Sequence, residues 1–399
     1  MIRIDEIHEN TFFAWLKRNH FGMRSFHMHP IGASTPEAIY CQGTQLAWEH
    51  NYITFFDAEP INLERFRATF DKIRYDLAGD IHERRSTETL GYVVTSEHES
   101  ENVAELCSIY GWRPLYYFFW GWAALDWYRG YDQTFLITPP EQRRIDHTFV
   151  APNRIIGGAR SHRVELLYHI FARNLHQNNH VSCPVQCPVE GTTMQTLARQ
   201  LDPVLYPAAE SVFSSITLPI NMPGETGHPM HSCWLSLWQP VEASLFYLVS
   251  ETTARGRRHQ LTEKIFKPIC QQIPFILHAT AGSLAYLRSY GFRTFGDLWD
   301  ESYDAEPDDH RRIAKIADLV THLNSLSCSE QQSLYEQAIP VLRHNYEHFY
   351  SGAFQAVLWQ ELKHMLSQIE PDRPAELDET APVIEPWSSG EAAAAAAAA

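Results

Sequence analysis

Short apolar runs alternate with amphipathic stretches along most of this chain. Residues 52–56 are β-rich and stop at Asp57. Residues 62–75 place Leu63, Phe66, Phe70 and Ile73 three or four apart, the spacing of one helix face. Residues 90–95 read as a buried strand, and 101–110 as a helix with Val103, Leu106 and Cys107 on one side. Residues 116–119 read as a strand, and 135–138 as another that Pro139-Pro140 stops. The second half repeats the habit. A helix is expected over 163–174, a strand over 246–249, a helix over 263–271, a strand over 273–277 and a helix over 284–289 that ends at Gly291. Long amphipathic segments follow at 310–326, with Ile313, Ile316, Leu319 and Leu323 on one stripe, and at 329–366, which Pro340 should kink or split. Strands alternating with helices imply parallel sheets covered by helices, an α/β fold. Two such halves, 1–150 and 151–369, joined near 148–158, form the simplest architecture. Residues 370–399 form an acidic, proline-containing tail ending in eight alanines, expected to be solvated and without a functional part.

A length of 399 residues allows two domains, each with its own core. The charge, 32 basic against 48 acidic residues for a net −16, argues against broad adhesion to nucleic acid or anionic lipid, which needs a basic face. The first residues carry charges with no apolar run behind them, so a secretory signal is not expected. The most apolar stretch, 115–127, is interrupted by Gly121 and Asp126 and is too short to span a membrane. Seven cysteines suit a reducing compartment rather than a disulfide framework, and the expectation is a cytoplasmic protein.

The segment 246–271 carries the most chemistry. A buried strand ends at Ser250, so Glu251 emerges at the carboxyl edge of a sheet, where open α/β folds bind ligands. Arg255, Arg257 and Arg258 follow, and a helix opens near Thr262. Its free N–H groups and positive dipole end favour an anion, while Lys264 in its first turn needs a negative partner. A diphosphate docked at this helix start, with a carboxylate left for ribose hydroxyls, satisfies both. The plain alternative is a solvated arginine loop and an ordinary exposed helix start.

Ser250-Glu251-Thr252, Leu261-Thr262-Glu263-Lys264 and Ile273-Pro274-Phe275-Ile276 together resemble the donor-binding signature of α1,3-fucosyltransferases. Gly291 to Phe295, Trp299 to Asp304, Gly121 to Tyr128 and the stretch around His162-Arg163 look like fucosyltransferase-like proteins of tailed bacteriophages. The resemblance implies a GT-B glycosyltransferase: two Rossmann-like domains facing across a cleft, with C-terminal helices and a nucleotide diphosphate-sugar held by the second domain. It implies that Glu263 contacts ribose and Lys264 the diphosphate, with Arg163, or next Arg160, on the phosphates. Glu251, Thr252, Arg255 and Thr262 complete the donor-side set. Gln260 stands where the family carries an aromatic residue, and Thr252 where it carries Asn, so a nucleotide-sugar donor is implied rather than a particular one. Cationic side chains on the leaving diphosphate make a metal or other cofactor unnecessary.

Such a transferase also needs a carboxylate to take the acceptor's proton. Glu97 and Glu99, just past strand 90–95, fit that place, with Asp126 next; the first two equally suit an exposed helix start. The resemblance to phage proteins suggests a hydroxymethylated base in DNA as acceptor. The net charge counts against it, Arg143, Arg144 and Arg154 soften that objection, and a glycan remains the alternative. Cys183, Cys187, His228, His231 and Cys233 have near-zinc spacing, yet Pro184 and Pro188 follow the first two cysteines and no second strong pair exists. The histidines are expected to line the cleft instead. The aromatic stretch 116–131 is expected to be core, and no glycine-rich nucleotide loop is present. A non-catalytic interaction protein on the same fold is the rival reading.

Overall fold

A computed structural model describes residues 90–128, 138–225 and 235–369, together with strands 24–28, 39–42 and 52–57 and parts of 60–67. The first sheet has the order β2-β1-β3-β4-β5. Its strands are β1 (Arg24–Met28), β2 (Ile39–Gln42), β3 (Tyr52–Asp57), β4 (Leu90–Thr95) and β5 (Arg113–Tyr116). All neighbours are parallel except β1 with β2. Between β4 and β5 lies α1 (Glu101–Tyr110), bounded by local chemistry. The Ser100 side chain accepts from Val103 N–H at its start, and Gly111, at φ 67°, ends it in the left-handed conformation that glycine adopts without strain.

The stretch after β5 departs from the sequence expectation. The strand stops at Tyr116, and Phe119–Trp127 is a helix, α2, buried almost all round. A helix enclosed on every side shows no polar face, so its pattern cannot be told from a buried strand. All but the last residue of the expected strand 135–138 and most of helix 62–75 lie outside the described residues.

The second sheet has the order β7-β6-β8-β9, all parallel. Its strands are β6 (His147–Ala151), β7 (His180–Val181), β8 (Ser244–Ser250) and β9 (Phe275–His278). Every residue of β8 and β9 is buried, the signature of parallel strands covered on both faces. Because β6 belongs to this sheet, the expected division after residue 150 runs through that strand. Helices α3 (His162–Ala172), α4 (Met194–Ala198) and α5 (Tyr206–Ser215) lie between β6 and β8, followed by the short α6 (Trp238–Glu242). Then come α7 (Glu263–Cys270), α8 (Ser283–Ser289), α9 (Asp309–Ser325), α10 (Cys328–Tyr350) and α11 (Ala353–Ile369). The chain stays helical through Pro340, which is exposed; the long segment divides instead at Gly352, with φ 84°. An exposed proline leaves its orphaned carbonyl to water, whereas a positive φ ends a helix outright.

The two sheets are tied by buried contacts. Phe118 packs its ring 4.7 Å from that of Tyr290 and 5.8 Å from that of Phe266. Glu361 of α11 accepts from Phe118 N–H at 3.1 Å and from Tyr290 Oη at 2.7 Å. The Tyr128 hydroxyl donates to the Glu263 carbonyl at 3.4 Å. The result is the two-lobed α/β arrangement that the sequence pattern predicts, with C-terminal helices. Among the described residues no helix is long and apolar enough to cross a membrane.

Candidate functional site

In the second sheet the chain leaves β6 toward β7 and later returns to β8 on the other side of β6. The carboxyl ends of β6 and β8 therefore flank a topological switch point, where the connections diverge and leave a crevice. A cavity of about 100 Å³ lies there. Segment 152–163 after β6 brings Arg154, Arg160 and Arg163 to its wall, and α7 brings Lys264 and Lys267. Glu225 and Glu263 are its acids, so the lining carries five cationic and two anionic side chains.

Glu263 sits in the first turn of α7, almost fully buried, with Lys264 Nζ 2.9 Å from its Oε1. Burial pushes its carboxyl up, but the charge and hydrogen bond of Lys264, with Lys267, outweigh this and hold it down at about 2. Lys264 Nζ also reaches Thr252 Oγ1 and Thr262 Oγ1, both at 3.1 Å. Arg163 is 5% exposed. It donates from Nη1 to the Ile155 carbonyl at 2.9 Å and from Nη2 to the Ser250 and Glu251 carbonyls at 2.6 and 3.1 Å. Its Nε is buried without a partner. Desolvation, then Arg160, pulls the guanidinium down to about 9. Arg163 therefore ties the segment after β6 to the end of β8 while lining the cavity.

The start of α7 differs from the expectation. Thr262 is buried, and Glu251 occupies the anion position there: Oε1 accepts from Thr262 N–H at 3.1 Å and Oε2 from Thr262 Oγ1 at 2.5 Å. Glu251 is fully buried, and that burial raises its carboxyl despite Lys264. The chain sets its own carboxyl against Thr262, so Glu251 is committed there and is not free for ribose. The accessible cations face the cavity beside the helix. Arg255 lies outside this lining and pairs with Glu165 at 3.3 Å, which also holds His310 at 2.8 Å.

On the first lobe Glu97 and Glu99 part company. Glu97 is fully buried; it accepts from Ile61 N–H, from Ser100 Oγ and from Arg258 Nη1, the last at 3.3 Å. Burial raises its carboxyl in spite of Arg258. Glu99 remains 58% exposed, with Oε2 3.5 Å from His259 Nε2. The loop that holds both meets the second lobe directly: His98 and His259 exchange N–H···O bonds of 2.9 and 2.7 Å. Their rings stack with Tyr286 at 5.5 and 5.6 Å between centroids. Asp126 is buried in α2 and does not line the cavity.

Arg154, Lys267 and Glu225 complete a lining that no local motif announced. They come from three separate segments and meet only through the sheet. His228, His231 and Cys233 lie outside the described residues. Cys183 and Cys187 are buried, and burial pushes the Cys183 thiol up to about 12, which disfavours a metal-binding thiolate. Among the described residues no group of three or more His, Cys, Asp or Glu is placed to hold a metal ion.

No protein-family model matches this chain, and no curated protein matches it. Among solved structures it is similar to an alpha,alpha-trehalose-phosphate synthase (UDP-forming) from Burkholderia vietnamiensis, at 12% identity and TM-score 0.32, over 77% of this chain and 67% of that one. It is also similar to an alpha,alpha-trehalose 6-phosphate synthase from Burkholderia multivorans, at 12% identity and TM-score 0.30, over 81% and 68%. At that distance neither structure assigns a substrate or a reaction to this chain.

Proposed function

We propose that this chain is a glycosyltransferase of the GT-B arrangement, moving a sugar from a nucleotide diphosphate donor to an acceptor hydroxyl. One observation carries the reading: five cationic side chains line a cavity at the switch point of the second sheet. The fucosyltransferase-type resemblance of 250–276 supports it. In this reaction the bond between the anomeric carbon and the diphosphate oxygen breaks, and its electron pair leaves on the diphosphate. The acceptor oxygen supplies the pair for the new bond and yields its proton to a carboxylate. Lys264 and Arg160 meet the leaving charge, without need of a metal. Glu99, exposed beyond β4, takes the proton; Glu97 and Asp126 are buried.

The test is thermal denaturation with a panel of UDP- and GDP-sugars. A donor at 100 times its Kd adds about 2.7 kcal/mol of apparent stability. Lys264→Ala removes the response while the far-ultraviolet dichroism stays native. Absence of a response to every donor overturns the proposal. For the acceptor we propose a hydroxymethylated base in DNA, with a glycan hydroxyl as the alternative; transfer of labelled sugar to each distinguishes them.

One observation favours the rival, an interaction protein on the same fold. Glu97, Glu251 and Arg163 are all committed to partners inside the chain. A protein of that kind binds no donor in the same panel.

A further inference from the structure

Resting on the transferase reading, we propose that the donor's nucleoside occupies a second pocket adjoining the cation-lined cavity, with Glu225 at the junction accepting from the ribose hydroxyls. Pockets that enclose a whole small molecule run about 300–1,000 Å³. The cavity of about 100 Å³ beside Lys264 therefore takes only part of a nucleotide, the phosphates that its charge selects. A neighbouring pocket of about 260 Å³ shares two lining residues with it, Arg154 and Glu225. Its other walls are of a different kind. Pro184, Pro188 and Pro219, with Val185 and Ile220, present apolar rings and branched carbons, suited to the faces of a heteroaromatic base. Gln186 and Asn221 supply amide donors and acceptors for its edge.

The junction is built firmly. Cys183 and Ile220 exchange two backbone hydrogen bonds of 2.9 Å, which join the pocket's two walls. Asn153 N–H donates to Ser182 Oγ at 2.9 Å, and Ser182 Oγ donates in turn to Glu225 Oε1 at 2.8 Å. Asn153 and Ser182 stand just past β6 and β7, so the carboxylate is positioned from the sheet itself. Met222 N–H reaches Oε2 at 3.4 Å, and each oxygen keeps capacity for a further donor. In a nucleotide the ribose links phosphate to base. A nucleotide spanning the two pockets therefore passes its hydroxyls across the wall they share, where Glu225 and Arg154 stand.

Calorimetric titration of the full chain with inorganic pyrophosphate, UDP and GDP tests this. Val185 is 48% exposed, so Val185→Trp fills the pocket mouth without disturbing the core. Glu225→Gln keeps the shape and removes the charge. Val185→Trp should weaken whichever nucleoside diphosphate the wild type binds by about tenfold or more while pyrophosphate affinity stays unchanged. Glu225→Gln, which also takes a negative charge from the phosphate cavity, should lower nucleoside diphosphate affinity relative to pyrophosphate by about tenfold, the worth of a charged hydrogen bond. If the wild type binds a nucleoside diphosphate and Val185→Trp binds it equally well, the nucleoside lies elsewhere and this inference falls, although the transferase reading stands. If Val185→Trp weakens only nucleotide-sugars, the pocket takes the sugar and the inference also falls. A wild type that binds neither pyrophosphate nor nucleotide removes the transferase reading, and this inference with it.

Discussion

Glu251, the first residue past β8, closes the amino end of α7 by accepting from both the N–H and the hydroxyl of Thr262, 11 positions later. Strand and helix are joined by a buried carboxylate rather than by a ligand. Removing it leaves two donors without an acceptor inside the protein. Glu251→Ala should cost about 1.5–3 kcal/mol, and Glu251→Gln, which keeps one acceptor, distinctly less. Urea unfolding midpoints of the two variants measure the difference; equal losses would show that the cap is not what the carboxylate contributes.

Glu263 gives the fold an acid-sensitive component. Its carboxyl is held at about 2 against an ordinary 4.5. A group depressed in the folded state stabilises it fully above the unfolded value and loses that contribution as pH falls toward the folded one. Between pH 5 and pH 2 the wild type should lose about 3 kcal/mol that Glu263→Gln does not lose. Melting temperatures across that window, compared between the two proteins, test the sign. Parallel curves would remove the ion pair with Lys264 as the cause.

Arg258 compensates a buried charge across the seam between lobes, 3.3 Å from Glu97 Oε1. Arg258→Met should destabilise by about 3 kcal/mol at pH 7, because the buried Glu97 then loses its counter-charge. Burial already raises the Glu97 carboxyl, and the substitution raises it further. Protonation relieves the penalty, so the variant's deficit should shrink as the pH is lowered toward 5. Denaturant midpoints at the two pH values report this; a deficit that grows at low pH would contradict it.

Gly91 in β4 leaves room for the Trp112 ring. A Cβ built there lies 2.4 Å from the nearest ring atom. Gly91→Ala should therefore cost about 1–3 kcal/mol by overpacking, although alanine suits a strand better than glycine does. A stability equal to or above the wild type would show that Trp112 can swing away at no cost.

Local pattern was a good guide where an element carries its own boundaries. The apolar runs of β4, β8 and β9 and the caps of α1 are all written in neighbouring residues. It failed at α2, where eight of nine residues are buried and no period remains to read, and it misplaced the division of the last long segment, which falls at Gly352 and not at the exposed Pro340. Thr262, Glu263 and Lys264 stood out as a cluster from their spacing, but their chemistry did not. Which anion faces the start of α7, and which cation faces the cavity, depends on how strand, loop and helix are folded against each other.

By itself the sequence determined an alternating α/β chain, a strand ending at Ser250 and a helix opening at Thr262, because short-range periodicity and capping are properties of adjacent residues. Only the tertiary structure decided that Glu251 is spent on that helix, that Glu97 is sealed by Arg258 while Glu99 stays open, and that Arg154, Glu225 and Lys267 share one wall. Burial and partnership set the charge and availability of a side chain, and both come from segments tens of residues away.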